Sequence, residues 1–377
     1  MNENNFCKIK QITFENFRNL ETKIFEPKED FNFFHGENAQ GKTSILEALF
    51  FLSELKSFRS SDYKNLIAHQ RQNFFLSALI DQDGLEHQIS IQVSPSGKQV
   101  QLNGKTPRPF SKLRQILPIV YFTPDSVRLF RISPSERRDY FDRFFSLLSA
   151  EFTEVQERYS KIHRQKNLLL ERLREKNNFS DREELQSWNE QLSYFGARLY
   201  SLRQCFTGLL DEKLQDAFFD LSGESWKAQI EYRPYFEGLM EAKAEEIQDL
   251  LLIEMERREG EELERGQVLV GPHRDDWFFL INSFLLKEEG SQGQHRVAVA
   301  SLKLVEIDIL RQFGKVPVAL FDDLLSELDS KRSELMMEKL FEHSCQVFLT
   351  SIKPYGLETQ KFSKSLFKIE KGCIKNE

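Results

Sequence analysis

The sequence has little cysteine, and Cys7, Cys205, Cys345 and Cys373 are scattered with no C-x-x-C pair. Such spacing gives no basis for a zinc site or a disulfide framework. The seven histidines show no H-x-x-x-H or H-E-x-x-H spacing, so a metallohydrolase has no foothold. No apolar run approaches the roughly 18 residues that span a bilayer, and the polar start Met1-Asn2-Glu3-Asn4-Asn5 is unlike a secretion signal. A cytoplasmic location and no membrane partner are expected. Internal repeats and low-complexity tracts are absent as well. Positive charge is in deficit, since 52 Lys and Arg against 59 Asp and Glu give a net charge of −7. That balance opposes any uniform attraction to a polyanion. What remains, 40% hydrophobic and 29% charged residues over 377 positions, is an ordinary globular composition with room for two domains.

Against this background one octet stands out. Gly36-Glu37-Asn38-Ala39-Gln40-Gly41-Lys42-Thr43 is a complete G-x-x-x-x-G-K-T phosphate loop. The aromatic run Asp30-Phe31-Asn32-Phe33-Phe34-His35 before it reads as a short strand, and Ser44 to Leu52 behind it has apolar residues at helical spacing. Strand, loop and helix therefore come in the order that lets backbone N–H groups and a helix N-terminus cradle phosphates. A nucleoside triphosphate is the expected ligand, with Lys42 reaching the β and γ phosphates and Thr43 holding Mg²⁺; kinases, GTPases, helicases and transporters share such a loop.

Near the other end, Val316-Pro317-Val318-Ala319-Leu320-Phe321 runs apolar into Asp322-Asp323, as a buried parallel strand does when its C-terminal edge carries chemistry. Asp322 is expected in the Mg²⁺ shell. The strand resembles the Walker B strand of ABC-class ATPases, and by that resemblance Asp323 sits where the class places the carboxylate that orients or deprotonates the attacking water. Between the two elements lies Gly290-Ser291-Gln292-Gly293-Gln294-His295-Arg296, followed by a helical stretch from Val297 to Leu310.

The three motifs in this order resemble ABC-type ATPases. Phe14-Glu15-Asn16-Phe17-Arg18-Asn19, Lys56-Ser57-Phe58-Arg59, Ser133-Pro134-Ser135-Glu136-Arg137-Arg138 and Gly271-Pro272-His273-Arg274-Asp275-Asp276 extend the resemblance over nearly the whole chain. It is to the RecF family of SMC-like ATPases. The resemblance implies an α/β ATPase head, with a phosphate-loop mixed sheet and an antiparallel β meander, plus a helical lobe serving as a short arm. It implies that ATP is bound by Gly36 to Ser44, with Arg18 and Asn19 near the phosphates or base. Ser291, Gln292 and Gly293 would meet the γ-phosphate held by a second copy, and Ser326-Glu327-Leu328-Asp329 would cross between subunits as a D-loop. The implied catalytic residues are Lys42, Asp323 and Ser291. Further implications are an ATP-dependent homodimer, binding of gapped or junction DNA, and help with RecO and RecR in loading RecA during repair. An SMC-like ATPase serving another repair or defence task fits the same motifs, and a small-molecule kinase would leave the signature helix unexplained.

Three departures from the class pattern are visible. Gln346-Val347-Phe348-Leu349 ends in Thr350-Ser351 where many ABC ATPases place a switch histidine, so a hydroxyl is expected to take that part. Thr123-Pro124-Asp125 occupies the natural place of the Q-loop glutamine. Asp323 is one methylene shorter than the common glutamate, which predicts slow turnover suited to a switch.

Punctuation suggests three stretches: head residues 1–130, a mainly helical lobe over 131–262, and head residues 263–377. Alternating runs from Phe6 to Phe25 and Phe74 to Leu102, with turn signals at Asp83-Gly84, Ser94 to Gly97 and Asn103-Gly104, predict a meander beside the phosphate-loop strand. Helical pattern runs from Ser135 to about Leu221, a second acid-rich helical segment from Glu237 to Arg265, and the sheet is expected to resume at Gln267-Val268-Leu269-Val270. Lys105 to Arg138 holds eight bases against two acids, a net of +6. Arg108, Lys112 and Arg114 from this segment, with Lys56 and Arg59, are candidate duplex contacts. Pairing with acids or lining the nucleotide pocket is the alternative for the same bases.

Overall fold

Twelve of the thirteen residues of the helix Lys42–Glu54 are buried, because a segment reading Leu49-Phe50-Phe51-Leu52 has no polar face to turn to water. In the computed structural model, which describes residues 6–176, 182–240, 242–243, 245–343, 345–352 and 364–376, this helix is the axis of the first of two compact units. The opening segment Met1 to Asn5 lies outside the described residues. The first unit takes in residues up to Val127, Asp216–Glu224 and Gln292 onward; the second takes in Arg128–Gln215 and Ser225–Ser291.

Two sheets of the first unit share one apolar cluster with the helix. A six-stranded sheet runs Cys373–Asn376, Lys364–Glu370, Phe31–His35, Val347–Ser351, Val318–Phe321, Ile119–Phe122. All its pairings are parallel except that of the edge strand Cys373–Asn376. Phe34 at 0%, Phe348 at 0% and Leu320 at 1% exposure show why these strands read as unbroken apolar runs: helix or sheet covers both faces. The register sets Phe321 beside both Leu349 and Phe122, and Ser351 beside His35. Gly36, Asp322, Thr123 and Ile352 therefore leave the sheet at one edge, the C-terminal one.

The expected meander exists, yet it forms its own sheet rather than flanking the phosphate-loop strand. Its order is Lys23–Phe25, Cys7–Glu15, Phe74–Gln82, Leu85–Ser94, Gly97–Leu102, all antiparallel. Both sides of Phe31–His35 are already taken by parallel partners, which leaves no edge for the meander to join. Its tight turn uses Asp83 at φ 53° and Gly84 at φ 81°, the pair of positive angles that fits the right-handed twist of a hairpin.

The second unit is helical over Pro134–Leu148, Ala150–Lys176, Ile247–Arg257 and Glu259–Arg265, with most of the long helix Arg182–Ser222. Ser133 begins it with a capping box: its hydroxyl accepts from the Glu136 N–H, and the Glu136 carboxylate accepts from the Ser133 N–H. The unit also holds a three-stranded antiparallel sheet of Ala228–Arg233, Asp276–Ile281 and Phe284–Leu285. Gln267 to Val270, expected as a strand, is not one. Side chains satisfy its backbone instead: Asn167 Oδ1 and Glu262 Oε1 accept from the N–H groups of Val268 and Leu269, while His273 and Arg274 reach their carbonyls.

The block Gly271 to Asp276 is the ionic centre of this unit. Asp275, almost fully buried, accepts from the Tyr232 hydroxyl and the Tyr235 N–H, and Arg203 bridges it to Asp142. Arg137 pairs with Asp276 at 2.7 Å. Burial raises the Asp275 pKa, and Arg203 opposes that rise.

Candidate active site

Two glycines set the shape of the phosphate loop. Gly36, at φ 149°, lies so close to the next strand that a Cβ would stand 2.5 Å from the Ile369 carbonyl oxygen. Gly41, at φ 112°, caps the helix and would bring a Cβ to 3.2 Å from the Asn19 side chain. The loop is braced from outside. Asn19 donates to the Ala39 carbonyl at 3.1 Å and accepts the Ser44 hydroxyl at 3.0 Å. Gln40 takes the backbone N–H groups of Lys371 and Gly372 on its side-chain and main-chain oxygens. Lys42 Nζ donates to the carbonyls of Gly36 and Glu37 at 2.5 and 2.7 Å. Burial lowers its pKa, and the carboxylates of Asp323 and Asp322 partly oppose that.

From the neighbouring strand end, Asp322 meets the loop directly. Thr43 Oγ1 donates to both of its carboxylate oxygens at 2.9 Å, and Thr350 Oγ1 donates to Oδ1 at 2.6 Å. Burial raises the Asp322 pKa, and the two hydroxyls restrain the rise. Asp323 sits in the left-handed region, φ 49° and ψ 31°, a conformation that costs energy for a residue with a side chain. Its N–H donates to Thr350 Oγ1 at 3.0 Å. One hydroxyl thus ties both acids of the pair, at the position where the class often carries a histidine. Asp323 Oδ1 is buried without a hydrogen-bond partner among the described residues, which is costly unless a ligand completes it.

These residues line a cleft of about 540 Å³ whose wall also includes Arg18, Arg59 and Pro124. Such a volume suits a nucleotide. Pro124 stands at the natural place of a Q-loop glutamine, and Thr123 beside it is buried, with its N–H held by the Ser126 hydroxyl.

Sequence reasoning missed Glu47. It is fully buried, accepts from Arg18 through two parallel bonds of 2.8 and 2.7 Å, accepts the Ser57 hydroxyl at 2.5 Å, and faces Arg59 at 3.7 Å. The signal was available: a lone acid inside the apolar run Ile45 to Leu52 needs a partner. Arg18 is therefore held by a carboxylate at the cleft wall. Glu47→Ala, which strands Arg18, is expected to lower stability by about 2–3 kcal/mol after allowance for the partial exposure of Arg18. In denaturant unfolding of the nucleotide-free protein, adding Arg18→Ala should then cost much less than the same change does alone, and full additivity would contradict the coupling.

Around the signature, the helix Gln292–Gln312 starts earlier than Val297, directly after Ser291. Ser291, Gln292 and Gly293 are all exposed. Gln292 and Gly293 do not line the cleft of their own unit. In the candidate D-loop, Ser326 donates to the Asp323 carbonyl at 2.8 Å, Glu327 pairs with Arg296 at 2.8 Å, and Asp329 caps the next helix.

The basic segment and the two bases grouped with it, Lys56 and Arg59, do not act as one patch. Arg59 lines the nucleotide cleft, Arg114 pairs at 2.7 Å with the buried Glu54, and Arg137 is buried against Asp276. Lys56, Lys105, Arg108 and Lys112 are exposed. Among the described residues no helix is long and apolar enough to cross a membrane, and no cluster of three or more His, Cys, Asp or Glu side chains could hold a metal alone.

A phosphate loop and an acid-tipped strand on one edge of a parallel sheet, beside a separate antiparallel sheet, are the ATPase head of the ABC and SMC class. The family described as the RecF/RecN/SMC N terminal domain matches residues 8–375. The Smc head domain of Pyrococcus furiosus superposes with a TM-score of 0.58 at 14% identity, over 98% of this chain and 96% of that one, a likeness of fold. The DNA replication and repair protein RecF of Geotalea daltonii is 31% identical over 369 residues, covering 97% of this chain and 99% of the relative. That of Ruminiclostridium cellulolyticum is also 31% identical, covering 97% and 98%. A solved structure of the recombination mediator protein RecF-ATP in the RecFOR pathway superposes with a TM-score of 0.90 at 28% identity, over 100% of this chain and 99% of that one. The chain belongs to the RecF family of SMC-like ATPases.

Proposed function

We infer that this protein is an ATP-driven switch of recombinational repair: it binds ATP, dimerises around it on gapped or junction DNA, and is reset by slow hydrolysis. The observation that carries the reading is the contact of Thr43 with both oxygens of Asp322 beside an Asp323 Oδ1 that has no hydrogen-bond partner among the described residues. Loop N–H groups and the helix N-terminus bind the phosphates, and Lys42 exchanges its loop carbonyls for phosphate oxygens. The Thr43 hydroxyl and the Asp322 carboxylate are hard oxygen donors side by side and fit Mg²⁺, which when bound neutralises charge on the β and γ oxygens. Asp323 orients or deprotonates the attacking water, and Thr350 positions both acids. The exposed Ser291, Gln292 and Gly293 meet the triphosphate of a second copy, so neither site is complete alone.

DNA is held through phosphates by the exposed Lys56, Arg108 and Lys112, with Lys105 added and Arg114 and Arg59 withdrawn because they already have acidic partners or line the cleft. Handing on to RecO and RecR, and through them to RecA loading, follows from the family. Replacing Lys105, Arg108 and Lys112 by alanine should weaken duplex binding and lower the slope of log affinity against log salt by about 2 to 3, measured by fluorescence anisotropy. An unchanged affinity with an unchanged slope contradicts this surface.

A further inference from the structure

Phe110 is 48% exposed, while most of the described phenylalanines are buried. One exposed aromatic is ordinary on a protein surface, but this one lies in a cationic stretch of chain. Arg108 and Lys112 flank it at two residues on either side, and Lys105 lies three positions before Arg108. All three are exposed, and none forms an ion pair among the described residues, whereas the next cation, Arg114, is bound to Glu54. The backbone that displays them is fixed at both ends. Leu102 and Lys105 exchange two main-chain hydrogen bonds, and the N–H groups of Lys112, Leu113 and Arg114 bond back to Pro109, Phe110 and Ser111. Pro107 and Leu113 are buried, Leu113 completely. An anchored loop that tucks in Pro107 and Leu113 yet exposes a phenylalanine between cations that have no ion pair among the described residues holds the ring ready for a ligand with both a π face and negative charge. Unpaired nucleic-acid bases on their phosphate backbone have that chemistry, and a paired duplex offers its base faces only at an end.

We propose that Phe110 is a base-stacking residue for the single-stranded side of a gapped DNA, with Lys105, Arg108 and Lys112 on the flanking phosphates. The proposal rests on the DNA-binding reading above and adds the discrimination between single-stranded and duplex DNA. Its test is fluorescence anisotropy of the full chain, with ATP and Mg²⁺, on a labelled oligothymidine, a gapped duplex and a blunt hairpin duplex of matched length. Phe110→Ala and Phe110→Leu should each lose about tenfold on the oligothymidine and gapped probes, and Phe110→Trp should retain parental affinity. All three should bind the hairpin within about twofold of the parent, since the phosphate contacts remain. Equal loss on every probe, no loss on any, or full binding by the leucine variant overturns the stacking role while leaving DNA binding intact. A parental protein that binds none of the probes overturns the DNA reading itself, and the stacking role with it.

Discussion

Lys42→Ala is expected to abolish ATP binding at working concentrations, and everything that depends on the nucleotide should go with it. Among the described residues the side chain has only the Gly36 and Glu37 carbonyls as hydrogen-bond acceptors, and it is not part of the apolar core cluster, so removing it takes away a cation and no member of that cluster. Charge-assisted bonds to the β and γ phosphates contribute roughly 3 kcal/mol or more together, which corresponds to about a hundredfold in affinity. Thermal unfolding separates this from a folding defect. The nucleotide-free variant should melt within a few degrees of the parent, while the rise in Tm that ATP gives the parent should vanish. A variant that keeps the ATP-dependent rise would show that the lysine does not contact the triphosphate.

Asp323→Asn separates binding from hydrolysis. The substitution keeps the size of the side chain and leaves untouched the N–H bond to Thr350 that fixes the backbone there. It removes the carboxylate that can accept a proton, and loss of a positioned general base costs about a hundredfold to ten-thousandfold in rate. ATP affinity should stay near the parental value, because Lys42, Thr43 and Asp322 are intact. Single-turnover hydrolysis and equilibrium binding read the two quantities independently. Hydrolysis at the parental rate would remove Asp323 from its role, and a large loss of affinity would make it a binding residue instead.

The elements whose chemistry is contiguous in sequence are legible in the sequence itself. The phosphate loop and its helix announce themselves by residue type at fixed spacing, and the acid-tipped strand by an apolar run with an abrupt end. What sequence could not give is pairing across distance. Gln267 to Val270 has the composition of a strand, yet Asn167 and Glu262 satisfy its backbone, so apolar run length alone misread it. The strand Ala228–Arg233 alternates buried and half-buried residues with period two, and it was overlooked because helical pattern surrounds it. Local charge counting put Arg114 and Arg137 in one basic segment with Arg108 and Lys112 and left open whether such bases meet a duplex, pair with acids or line the nucleotide pocket; Glu54 and Asp276 hold Arg114 and Arg137, and Arg59 lines the nucleotide cleft. The partner positions lie as far off as residue 276, where no local pattern points to them. Thr350 was legible as a hydroxyl in place of a histidine; its hold on both Asp322 and Asp323 was not.

Sedimentation velocity of the Asp323→Asn protein with ATP and Mg²⁺, with ADP and Mg²⁺, and without nucleotide tests most directly whether two copies close on the triphosphate. The account predicts a species of twice the 44.5 kDa chain mass with ATP alone, and its loss when Ser291→Arg is added. A single species under all three conditions, or an ATP-dependent dimer that survives Ser291→Arg unchanged, contradicts it.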